Sequence, residues 1–164
     1  MKKFLSFIFL MCCTVCLIKA QSCLDESRKF FNSKDYISAE HALEKCPKGE
    51  FRKANVQISM GGIKLLLAKY DEANKNFLEA LKTMPKNSPY FAYVYSSLGD
   101  IAIQKRQINK AMGYYQNALK YQPEDVNALV GYGFTLEKSG KKESAAAYYK
   151  KALDIDFSNL AARK

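Results

Sequence analysis

The chain has 164 residues, enough for one domain with a sizeable core. It is 48% hydrophobic and 26% charged, which excludes a disordered chain, and its 8 Gly and 4 Pro argue against a loop-rich β fold. The net charge of +10 comes from scattered Lys and Arg rather than a basic cluster, so solvated helix faces explain it better than a nucleic-acid surface.

In chain order, residues 1–20 read as a secretory signal peptide. Lys2 and Lys3 form a basic start, residues 4–18 are apolar, and Ala20 offers a small residue before cleavage. The apolar run is shorter than the roughly 20 residues of a membrane span. Cys12, Cys13 and Cys16 contain a CxxC spacing, but inside an apolar signal core they act as small hydrophobes. Removing the segment leaves a chain of about +7 with Cys23 and Cys46 as its two cysteines. These features place the protein in a periplasm-like or extracellular compartment. An uncleaved anchor or a lipid on Cys23 are the alternatives, either of which associates it with a membrane.

Beyond the signal one phrase recurs. Small, aromatic and small residues are spaced by four and three: Ala73, Phe77, Ala80; Ala111, Tyr115, Ala118; Ala145, Tyr149, Ala152. A weaker copy has Ala39, Leu43 and Cys46. The leading alanines lie 34, 38 and 34 residues apart, and the extra four fall at 88–91, where Pro89 marks a joint. Such spacing lines one helix face. A preceding helix shows a matching stripe, with Tyr95, Leu98, Gly99 and Ala102 in one copy and Leu129, Tyr132, Gly133 and Leu136 in the next. Pro85 and Pro123 close two of the units, and Gly140 suits a helix C-cap.

These residues resemble the tetratricopeptide repeat, a helix–turn–helix unit of about 34 residues. The likeness divides the chain into a degenerate hairpin (21–53), a unit at 54–87, an insertion at 88–91, units at 92–125 and 126–159, and a tail or the start of a further helix at 160–164. The unit at 54–87 departs from the pattern at Gln57 and Lys64, and the last has Phe157 in place of Pro. The implied fold is all-α: a right-handed superhelical stack of antiparallel helix pairs, an α-solenoid of about 3–4 repeats. One pair cannot bury both of its apolar faces, and stacking covers them. Gly99 and Gly133 are expected where helices cross closely, with Phe77, Tyr115 and Tyr149 filling the wider gaps.

In this register Cys23 and Cys46 occupy facing positions of one helix pair. That predicts a disulfide in an oxidising compartment. Lipidation of Cys23 competes with it, although Ala20 stands where a lipobox wants Leu and Cys46 would be left alone.

The family carries partners on the concave side, lined by the first helix of each unit. The positions concerned hold Ile58 and Leu65; then Tyr93, Ser96, Asp100, Ile103 and Gln104; then Asn127, Val130, Phe134, Glu137 and Lys138. An extended or helical protein segment suits that mixture. The cation set with which one subgroup clamps a terminal carboxylate is absent from these positions. Leu65, Leu66 and Ile103 also fit a plain packing role between repeats.

No catalytic constellation emerges. His41 is the single histidine and sits at a variable helix position, Asp154 and Asp156 are separated by Ile155, and no glycine-rich phosphate loop is present. The expectation is a non-enzymatic scaffold or adaptor without cofactor or metal, binding protein rather than nucleic acid. A sensory ectodomain or fragment of a longer signalling protein, and a lipid-anchored envelope assembly factor, are the other readings.

Overall fold

The computed structural model describes residues 23–47 and 53–155. The segment 1–20, expected to be a signal peptide, and the tail 160–164 lie outside them. The described residues are all-α, with eight helices and no strand. Helix α1 covers 23–32, followed by α2 (Tyr36–Glu44), α3 (Ala54–Leu66), α4 (Tyr70–Thr83), α5 (Phe91–Gln104), α6 (Ile108–Tyr121), α7 (Val126–Lys138) and α8 (Lys142–Ile155). None of them is long and apolar enough to cross a membrane. Two compact units result, Met1–Met84 and Pro85–Lys164.

The helices pair as hairpins because each turn is built alike. Lys34, Ala68, Arg106 and Gly140 sit at the same place in each pair, and all four have positive φ. At each, the backbone closes the first helix with a nested pair of hydrogen bonds: in the third hairpin Gln107 N donates to Ala102 O and Arg106 N to Ile103 O. Sequence reading singled out Gly140 alone. At the other three turns a side chain tolerates the left-handed conformation, because the hairpin contacts on both sides hold it there.

In the first unit, Cys23, Ala39, Leu43, Cys46, Val56, Met60 and Ile63 form one buried cluster that joins the two hairpins. The departures at Gln57 and Lys64 are answered across the helix pair. Buried Gln57 accepts a 2.7 Å hydrogen bond from Asn76 on α4. Lys64 meets Glu72 at 2.6 Å and Glu40 at 3.9 Å, while Lys69 holds Glu40 at 2.7 Å. Glu40 is thus a buried carboxylate with two cations, the condition under which burial of a charge is tolerated.

In the second unit, Ala102, Ala111, Tyr115, Ala118 and Ala128 form one cluster, and Leu136, Ala145 and Tyr149 another. The glycines act here on rings rather than on helix backbones. A Cβ built on Gly99 would lie 2.6 Å from the Tyr115 ring, and one on Gly133 would lie 2.8 Å from Tyr149. Gly61 has the same relation to Phe77 in the first unit. Each glycine therefore clears the space that the aromatic of its facing helix fills.

Candidate partner-binding groove

A hollow that gathers several of the candidate groove residues lies in the second unit. Helices α5 and α7 border an open hollow of about 510 Å³, lined by Asp100, Ile103 and Gln104 from α5 and by Asn127, Val130, Gly131 and Phe134 from α7. Tyr115 reaches its floor from α6. The apolar walls come from residues that also pack inward, since Ile103 flanks the Tyr115 cluster and Val130 flanks the cluster around Tyr149.

Two tyrosine hydroxyls hold carboxylates on this side of the unit. Tyr115 donates to Asp100 Oδ1 at 2.6 Å, and Tyr149 donates to Glu137 Oε2 at 2.8 Å. Burial, with the neighbouring carboxylate acting in the same direction, pushes both phenols well above the usual tyrosine range. Burial also raises the Asp100 carboxyl. The Tyr115 hydrogen bond lowers it in part, and the charge of Asp125 raises it again. Asp125 itself caps α7 by accepting from Ala128 N at 2.7 Å.

Six of the residues singled out from sequence therefore meet around one hollow: Asp100, Ile103, Gln104, Asn127, Val130 and Phe134. Lys138 lies one turn beyond Phe134, with Nζ 5.1 Å from the centre of that ring. Tyr93 stands near the start of α5 and is 46% exposed. Ser96 differs from the rest, being only 6% exposed, and its hydroxyl has no hydrogen-bond partner among the described residues. Ile58 and Leu65 are half-buried on α3 of the first unit. Leu66 is 53% exposed, so a packing role does not account for it within its own unit.

Sequence reading missed Tyr115 and Gly131 as lining residues, because both fit a packing role. The available signal was the phenol. Phe77 occupies the equivalent place in the first unit and carries no hydroxyl to reach an acid.

A second hollow of about 330 Å³ lies between α1 and α2, lined in part by Phe30, Ile37 and His41. His41 is largely exposed and lies 3.4 Å from Glu44. Among the described residues no group of three or more His, Cys, Asp or Glu side chains is placed to hold a metal ion.

Comparison with known proteins agrees with this architecture. The family model for the tetratricopeptide repeat matches residues 92–125 and 126–159. Such repeats are protein-interaction scaffolds and generally not enzymes. The uncharacterised protein ycf37 of Cyanophora paradoxa is 30% identical over 95 residues, covering 58% of this chain and 55% of that protein. The chain thus spans about half the length of that relative. Among solved structures, Pseudomonas aeruginosa pilF superposes with a TM-score of 0.79 at 20% identity, over 88% of this chain and 64% of that one. YrrB, described as a TPR protein with an unusual peptide-binding site, gives 0.70 at 18% identity, over 85% and 70%. At these identities the structural likenesses show the fold alone, and that fold is the tetratricopeptide-repeat solenoid.

Proposed function

We propose that the protein is a non-enzymatic adaptor, exported to the cell envelope or beyond, which binds a segment of a partner protein in the groove between α5 and α7. The observation that carries this reading is the gathering of Asp100, Ile103, Gln104, Asn127, Val130 and Phe134 around one open hollow. The hollow offers apolar walls for side chains and amides for a peptide main chain, the mixture an extended segment or helix needs. A peptide-binding site is named for YrrB, which shares the fold. Export rests on the N-terminal pattern of Lys2, Lys3, the apolar run and Ala20. The pairing of Cys23 with Cys46 supports it, because a structural disulfide persists in an oxidising compartment.

Crosslinking and pull-down from native envelopes tests the binding. A folded chain carrying Tyr93→Ala, Ile103→Ala and Phe134→Ala should bind its partner at least about tenfold more weakly. If that variant melts like the native chain and keeps every partner, the groove is not the binding surface. N-terminal sequencing of the exported product should begin at Gln21. A cytoplasmic product that retains Met1 defeats the export reading.

A further inference from the structure

The groove has a charge preference opposite to that of the chain around it. The sequence carries a net charge of +10, yet the charged side chain that lines the hollow is a carboxylate. Asp100 Oδ1 accepts from the Tyr115 hydroxyl, which fixes the carboxylate at the lining of the hollow. The Tyr115 ring cannot swing away to release it, because Gly99 on one side and Gly131 on the other close over it. A Cβ on Gly131 would come within 2.4 Å of that ring. Asp100 forms no ion pair with a Lys, Arg or His among the described residues. Asp125, at the start of α7, adds to the negative potential felt by Asp100. A fixed, unneutralised carboxylate between apolar walls attracts a cation that brings apolar neighbours of its own.

Building on the groove reading above, we propose that the partner segment is basic: an extended peptide that seats a Lys or Arg side chain on Asp100 and flanks it with apolar residues on Ile103, Val130 and Phe134. Charge complementarity favours this occupant over an acidic segment, which would bring like charge to Asp100. It also favours it over a purely apolar one, which would cover the carboxylate without a partner and so bear its desolvation cost. Gln104 and Asn127 supply amide groups for the main chain on either side of the seated cation.

The test uses the full chain and a random decapeptide library displayed on phage, panned at physiological salt. Peptides selected on the native chain should be enriched in Lys or Arg next to apolar residues. Their affinity should fall about tenfold on Asp100→Asn, the loss of one charge-assisted hydrogen bond. Asn is isosteric and retains an acceptor for Tyr115. A complementary measurement needs no protein variant: replacing the selected Lys or Arg by Gln should weaken binding to the native chain equally. Selected peptides without basic enrichment, or basic peptides that bind Asp100→Asn as tightly as the native chain, overturn the charge preference. Phe134→Ala separates this from the groove reading. Uncharged or acidic peptides that lose affinity on Phe134→Ala leave the groove standing and remove only its preference for cations. Peptides indifferent to Phe134→Ala, or a selection that yields none, defeat both.

Discussion

Tyr115 joins the core to the groove. Its ring fills the room left by Gly99 and Gly131, and its hydroxyl emerges to hold Asp100. A methyl group at position 131 would meet the ring at 2.4 Å, so Gly131→Ala should cost about 1–3 kcal/mol through overpacking. Gly113 is the control. It lies on the exposed side of α6 with nothing within 4 Å of an added Cβ, so Gly113→Ala should stabilise by about 0.5–1 kcal/mol through helix propensity alone. Urea unfolding of the two variants measures both signs, and equal effects would mean that the ring is not packed as described. The tyrosine hydroxyls add a pH dependence. Tyr115 and Tyr149 have folded pKa values above the unfolded phenol, so their contribution is fully present below about pH 10 and is lost as the pH rises through the folded values. The urea midpoint should fall as the pH rises above about 10, and Tyr149→Phe should flatten that fall. A midpoint with the same slope in the variant would remove Tyr149 from this account.

At the level of the helix pair, the register was legible where small and aromatic residues recur. The turns were legible only at Gly140. Lys34, Ala68 and Arg106 take the same positive φ without the residue type that advertises it, since the hydrogen bonds that close each first helix decide the conformation. Gln57 and Lys64 looked like lapses in the pattern for a similar reason. Their partners, Asn76, Glu40 and Glu72, lie on other helices, and no local spacing reveals such pairing. The first hairpin yields a prediction of its own. Cys23 and Cys46 are joined in the structure with Cα atoms 5.4 Å apart and a sequence separation of 23 residues. In an oxidising compartment a bond there should contribute about 3 kcal/mol by restricting the unfolded chain. Reductant, or paired Cys23→Ser and Cys46→Ser replacements, should lower stability by about that amount. Intact mass and a thiol count give the oxidation state directly. Two free thiols after export would end the disulfide account, and a diacylglycerol mass on Cys23 would replace it with lipidation.

For the whole molecule, the fold class was open to sequence reasoning because it follows from periodicity. An apolar stripe repeated in each helix pair leaves stacking as the means of covering it, and no single contact has to be known. Candidate groove positions follow from the same register, since it assigns each position a side of the helix. The register does not report which of those positions share a hollow, which one is buried, or what sits beneath them. Ser96 belongs to the same stripe as Asp100 yet is buried with its hydroxyl unpartnered among the described residues. Tyr115 belongs to a packing stripe yet lines the hollow. The sequence by itself determined the helical period, the pairing of neighbouring helices and the sides they turn to one another, all properties of spacing along the chain. Tertiary structure alone decided that a phenol from α6 would thread between two glycines and fix a carboxylate that lines the hollow. That outcome depends on distances between three helices, and their meeting is written in no one of them.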